Sequence, residues 1–223
     1  HGYIDYWIVK LSSLGIIEWQ RCLGGTGDDR ATSIIPTTDG GYVVAGYSES
    51  NNNGNVTGNH GLKDYWIVKL NSDGGVIEWQ KSLGGTHVDL AHAIKQTSDG
   101  GYIVAGHASS INGDVIGNDG GTDYWIVKLS STGTIQWQKS LGGSQGDLGY
   151  SIYQTSDGGY IISGAADSND GDVTGHHGIE IPETPTNDYW VIKLNSTGTI
   201  QWQKSLGGTL DEYGNSIVPT TDG

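Results

Sequence analysis

Apolar and polar positions alternate along this chain in short runs, and one run recurs four times. From Asp123 to Leu129, an extended strand puts Trp125, Val127 and Leu129 on one face and Tyr124, Ile126 and Lys128 on the other. The same heptapeptide, Asp-Tyr-Trp-Ile-Val-Lys-Leu, opens at Asp5 and Asp64 and returns as Asp-Tyr-Trp-Val-Ile-Lys-Leu at Asp188, with spacings of 59, 59 and 65 residues. Both faces of this strand are bulky, which predicts sheets buried between two neighbours by stacking or radial arrangement.

The rest of the period completes a four-stranded unit. Strand A covers Ala91 to Thr97, and the turn Ser98-Asp99-Gly100-Gly101 leads into strand B, Tyr102 to Gly106. A polar loop rich in Gly, Asn and Asp precedes strand C, Asp123 to Leu129. The turn Ser131-Thr132-Gly133 then leads to strand D, Thr134 to Leu141, whose Ile135, Trp137, Lys139 and Leu141 are expected on one face. The segment Ser131 to Gly143 is identical to Ser196 to Gly208, a sign of duplication with little drift. The reading is one all-β domain over residues 1–223, a β-propeller-like array of four-stranded antiparallel sheets with about 60 residues per repeat. It divides into a partial repeat 1–30, repeats 31–89, 90–147 and 148–212, and a partial repeat 213–223.

Counted this way, the chain holds four A, four C and four D strands but three B strands, fifteen in all. Both ends fall inside a repeat. The favoured reading is an excerpt of a longer array; the alternatives are a ring of more blades, or another chain filling the gap by strand addition.

Composition agrees with an all-β class. There are 38 Gly, 12 Tyr and 8 Trp, with no Phe or Met, and all eight Trp sit at two fixed places per repeat. The formal charge of −14 repels phosphate backbones and anionic headgroups, so neither nucleic acid nor membrane insertion is expected. The sole cysteine, Cys22, aligns with Ser82, Ser140 and Ser205 and gives neither an internal disulfide nor a zinc set. No signal peptide, transmembrane run or lipidation motif is present.

The string Asp-Tyr-Trp-Ile-Val-Lys-Leu, a Gly turn, Ile-x-Trp-Gln-Lys-Ser-Leu-Gly-Gly-(Thr/Ser), an acidic residue and Asp-Gly-Gly-Tyr-(Ile/Val)-Val-Ala-Gly resembles the β-propeller repeats of large secreted bacterial surface proteins. These are the repeats abbreviated SBBP and their relatives in Bacteroidetes. The resemblance spans essentially the whole chain. It implies a propeller architecture and an extracellular or cell-surface location, and does not indicate a ligand.

Candidate chemistry lies mainly in the loops between strands B and C. Their aligned cores run Asn51 to Gly58, Ser110 to Gly117 and Ser168 to Gly175, with oxygen-bearing side chains at positions one, three and five as in the opening of a calcium loop. Ser168, Asp170 and Asp172, and behind them Asn112 and Asp114, are the candidate ligands, calcium being the one cofactor these residues suggest. The Gly comes early for an EF-hand and no Glu closes the loop, so Asx-turns are the competing reading. Asp29, Asp89, Asp147 and Glu212 follow each Gly-Gly-(Thr/Ser) element and are expected to cap backbone N–H groups at the turn into strand A. The Asp of each Asp-Gly, at 39, 99, 157 and 222, is expected as a hairpin residue.

The aromatic residues offer a second candidate. Trp7, Trp66, Trp125 and Trp190 are expected inside, whereas Tyr65, Tyr124 and Tyr189 (with Tyr6), or Trp79, Trp137 and Trp202 (with Trp19), would show an edge able to stack on a sugar. The histidines form no recurring ligand pair. Residues Ile179 to Asn187, with Pro182 and Pro185, are expected as an exposed elaboration.

These readings converge on a non-enzymatic, extracellular structural or adhesive repeat module. Its expected partners are other copies or other surface proteins, reached through strand edges to build a larger ring or filament. The alternative is a lectin-like propeller with one shallow glycan site per blade. An enzyme is disfavoured, because no asymmetric set of catalytic residues stands out from the repetition.

Overall fold

Alternation turns each repeat into one antiparallel meander. The computed structural model describes residues 2–178 and 186–220. It contains fourteen strands and, among the described residues, no helix. The first sheet pairs β1 (Tyr6–Leu11) with β2 (Ile17–Leu23). The second runs β3 (Asp29–Pro36), β4 (Tyr42–Ser48), β5 (Asp64–Leu70), β6 (Ile77–Leu83). The third runs β7 (Asp89–Gln96), β8 (Tyr102–Ala108), β9 (Asp123–Leu129), β10 (Ile135–Leu141), and the fourth β11 (Asp147–Gln154), β12 (Tyr160–Ala166), β13 (Asp188–Leu194), β14 (Ile200–Leu206). In repeat terms each full sheet is A-B-C-D, and the first holds C and D alone.

The predicted fourth A strand does not form. Residues 213–219 lie against the fourth sheet through Gly214 N–H to Gly164 O (3.0 Å) and Ile217 N–H to Ser151 Oγ (3.3 Å), without a ladder. In the other repeats strand A is held by strand B (Asp89↔Ala108 to Gln96↔Tyr102), and no B strand follows here among the described residues. Among the described residues the count is therefore fourteen, not fifteen. Most of the Pro182 loop lies outside the described residues.

Strand C is the middle of each interior layer, which explains its two apolar faces. Tyr65 and Ile67 join Trp125, Val127 and Leu129 in the core between the second and third sheets, while Trp66, Val68 and Leu70 face Tyr6, Ile8 and Leu23 of the first. Tyr124 and Ile126 meet Trp190, Ile192 and Leu194 in the same way. Each strand D carries a bulge, as between Ile135 and Trp137, so Ile135 packs on one core and Trp137 with Leu141 on the next. The single face expected for all four strand D residues is thus split, because one extra residue inverts the alternation.

Candidate functional site

At the mouth of each sheet the B–C loop folds over the Gly-Gly turn that enters strand A. In the third sheet the buried Asp89 accepts from Gly85 N–H (2.9 Å), Ser110 Oγ–H (2.7 Å) and Ser110 N–H (3.2 Å). Ser110 Oγ accepts in turn from His87 N–H at 2.9 Å, and Asn112 Oδ1 from Thr86 N–H at 3.0 Å. The fourth sheet repeats the set: Asp147 with Gly143 N–H (2.8 Å) and Ser168 Oγ–H (2.8 Å), Ser168 with Gln145 N–H (3.0 Å), Asp170 with Ser144 N–H (2.8 Å). Asp114 Oδ2 accepts from Gly84 N–H at 3.3 Å, and Asp172 N–H donates to Gly142 O at 2.7 Å. Glu212, the fourth acidic turn residue, accepts from Gly208 N–H at 2.9 Å.

The loop side chains singled out for calcium thus meet backbone donors, which orphaned turn N–H groups require. Among the described residues no three His, Cys, Asp or Glu side chains gather as a metal set. The second sheet corrects the alignment of its loop. Ser50, not Asn51, takes the place of Ser110, donating to Asp29 (2.8 Å) and accepting from Gly27 N–H (2.9 Å). The extra residue is absorbed near Asn52, whose φ of 51° is the one positive value at a non-Gly position among the described residues.

A second carboxylate reaches the same turn from strand C. Gly84 lies against both Asp64 and Asp89: a Cβ there would stand 2.7 Å from Asp64 Oδ1 and 2.6 Å from Asp89 Oδ2. Asp123 and Asp147 bracket Gly142 alike. Burial, with Asp147 nearby, raises Asp123 to about 7, and burial raises Asp147 to about 6. The first residue of the heptapeptide is therefore a deep packing partner of a turn 20 residues downstream, a role without a sequence signal beyond recurrence.

The lysine of the heptapeptide is also explained by tertiary structure. Lys69 is 2 % exposed and meets Asp39 at 3.0 Å and Glu78 at 3.0 Å. Lys128 meets Asp99 at 2.8 Å and Gln136 at 2.9 Å, and Lys193 meets Asp157 at 2.8 Å and Gln201 at 3.0 Å. The bulge in strand D turns the second partner inward, and the A–B hairpin supplies the first. Lys10 meets Glu18 at 2.8 Å.

Three tyrosines and one tryptophan do not lie as expected. Tyr6, Tyr65 and Tyr124 are fully buried and donate across to the next sheet, to Trp66 O (2.8 Å), Trp125 O (2.9 Å) and Trp190 O (3.1 Å). Tyr189 is half-buried. The reason is that the tyrosine face of β1, β5 and β9 lies against the next sheet, so it offers no glycan edge. Trp66, Trp125 and Trp190 are buried, but Trp7 is 67 % exposed because no sheet covers that face of β1. Trp79 and Trp137 are partly buried under the next sheet's C–D turn: Gly133 leaves room for the first and Gly198 for the second, with Cβ positions 2.9 and 3.0 Å from the rings. Trp202 stays 46 % exposed.

One pairing has no repeat signal. His92 Nε2 and His107 Nδ1, on adjacent strands, lie 3.2 Å apart with Tyr150 edge-on to His92. Burial lowers both, His107 to about 3. They came together because strands A and B pair, which spacing along one strand does not reveal.

A surface groove lies at β1. Its edge away from β2 carries no strand, and a groove of about 290 Å³ runs there past Trp7, Val9, Ala31, Ser33, Ile34 and Val44. Ile34 is 49 % exposed, whereas its equivalents Ile94 and Ile152 are 0 % exposed beneath β4 and β8.

No family model matches the chain. Its sequence is similar to the regulatory protein FlaEY of Caulobacter vibrioides, 23 % identical over 149 residues, 65 % of this chain and 16 % of that protein. Among solved structures it is similar to a Synechocystis apocarotenoid oxygenase at a TM-score of 0.43 and 12 % identity, covering 88 % of this chain and 44 % of that one. The chain spans about a sixth of the first and under half of the second.

Proposed function

We infer that this chain is a non-enzymatic structural repeat module of an extracellular or cell-surface protein, which holds neighbouring modules or other surface proteins together through its sheet edges. The observation that carries this reading is equivalence. Asp29, Asp89 and Asp147, with Ser50, Ser110 and Ser168, make the same intramolecular hydrogen bonds in each repeat, and so do Lys69, Lys128 and Lys193. Carboxylates engaged repeat after repeat in holding loops are not an asymmetric acid–base set converging on a substrate. The resemblance to secreted bacterial propeller repeats supports the location.

Sedimentation velocity in calcium and in chelator tests the main reading. Species larger than the 23.6 kDa chain support association. A monomer at all concentrations in both buffers refutes it. Loss of the large species in chelator alone makes the association ion-dependent.

A further inference from the structure

We propose that the third repeat binds a hard divalent cation, calcium, between the carboxylates of Asp123, Asp147 and Asp119, a place distinct from the loop oxygens that hold the Gly-Gly turn. Two of the three groups already converge. Gly142 has no side chain, and the point where its Cβ would stand is 2.5 Å from Asp123 Oδ1 and 2.6 Å from Asp147 Oδ2. Both carboxylates are buried, Asp123 at 1 % exposure and Asp147 at 0 %. Asp123 Oδ2 accepts from Asp119 N–H at 3.4 Å and from Ser140 Oγ–H at 3.5 Å. Its Oδ1, the oxygen that shares the Gly142 position with Asp147, has no hydrogen-bond partner among the described residues. A buried carboxylate oxygen without a donor, set beside a second carboxylate, is costly, and a cation between them offsets both the desolvation and the repulsion.

The sister repeats show why this loop differs. Asp64 and Asp188 carry the same unpartnered Oδ1, but each has a histidine on its other oxygen. His60 Nδ1 and His177 Nδ1 lie 2.9 Å from Asp64 Oδ2 and Asp188 Oδ2, and the backbone N–H groups of the same histidines donate to those oxygens at 2.7 and 2.8 Å. In the third repeat Asp119 takes the histidine's place and donates its own N–H to the equivalent oxygen. The turn keeps its anchor, since Asn118 Oδ1 accepts from Gly120 N–H at 3.0 Å as Asn59 Oδ1 does from Gly61 N–H at 2.9 Å. One residue thus exchanges a group able to carry positive charge for a third negative one beside the buried pair. Asp119 is exposed, and among the described residues no three carboxylates gather before a cation enters, so its side chain must turn inward to complete the set, with water on the solvent side. Three carboxylates and water suit the flexible shell of calcium better than the strict octahedron of magnesium, and so open a site corresponds to a Kd of about 0.1–1 mM.

The test is calorimetric titration of calcium chloride into the chelator-treated whole chain, joined to thermal melts and amide hydrogen exchange. It is run at about pH 8, above the values of about 7 and about 6 to which burial raises Asp123 and Asp147, so that both are ionised. One site per chain is expected, with a higher melting temperature and slower exchange confined to residues 119–123 and 142–147. Asp119→His installs the residue that two sister loops carry, at an exposed place, and should keep the parent circular dichroism while weakening calcium binding at least roughly ten-fold. Absence of heat and of any rise in melting temperature up to about 10 mM calcium, well beyond the expected Kd, overturns the proposal. So does one site in every repeat, equal binding by Asp119→His, or protection elsewhere, each of which puts the cation on other residues. The site does not depend on association: a chain that binds calcium here yet stays monomeric in sedimentation refutes association alone, so the two readings fail separately.

Discussion

Replacing Gly106 by Ala probes the contact that fixes the spacing between sheets. Gly106 lies in β8 with Tyr65 of the preceding sheet directly above it, and a Cβ would stand 2.6 Å from Tyr65 Oη and 2.8 Å from Ala91 Cα, besides meeting Leu90 O. Ordinary van der Waals contact begins nearly 1 Å farther out, so the backbone of β7 must shift and the tyrosine must yield as well. Overpacking of this kind costs about 1–3 kcal/mol. If Tyr65 gives way, its hydroxyl loses the 2.9 Å hydrogen bond to Trp125 O in a buried place, a further ~1–3 kcal/mol. The expected loss is therefore about 2–6 kcal/mol, a large share of the roughly 5–15 kcal/mol that holds a domain together. Guanidinium unfolding followed by tryptophan fluorescence reads it as a lower midpoint at unchanged slope. Tyr65→Phe alone should cost about 1 kcal/mol, and the double variant should be less destabilised than the sum by at least ~1 kcal/mol. A Gly106→Ala midpoint within about 0.5 kcal/mol of the parent, or strict additivity with Tyr65→Phe, would refute the reasoning.

Other consequences follow from the buried charges. Asp123 and Asp147, raised to about 7 and about 6, hold protons that the unfolded chain releases near 4. The folded form thus binds more protons across that window, and stability should decline as pH climbs from about 4 to about 7. Asp123→Asn should flatten that decline, as thermal melts at stepped pH will report. Asp99 shows the opposite sign. Although burial opposes ionisation, Lys128 and Thr97 hold it down at about 2, so its contribution is present above about 4 and lost as pH falls toward 2. Because Asp99 is half-exposed, Asp99→Asn should cost only about 1 kcal/mol at neutral pH and almost nothing at pH 2, measured by the same melts. Ser168→Ala takes one donor from the buried Asp147 and the acceptor from Gln145 N–H, and should cost about 1–3 kcal/mol with the loss of amide protection confined to residues 143–146 and the following loop.

The repetition of Asp-Tyr-Trp-Ile-Val-Lys-Leu was enough to specify the all-β class, four strands per period and their order, because a period-two alternation interrupted by Gly turns has few other solutions. It also located Trp66, Trp125 and Trp190 in the core. Whether Tyr65 was inside or outside was not legible, since that depends on a second sheet whose distance no local pattern encodes. The same is true of Trp7, which bears the sequence of a core residue and stands exposed for want of a neighbour. The bulge that splits Ile135 from Trp137 escaped the alternation because one extra residue inverts it, and only backbone pairing reveals the insertion. Ser110, Asn112 and Asp114 spelled an oxygen-rich loop, while tertiary structure decided that their oxygens face the N–H groups of the Gly-Gly turn. Residue type tells which atoms must find partners; the partners are named only when strands distant in sequence come to lie side by side.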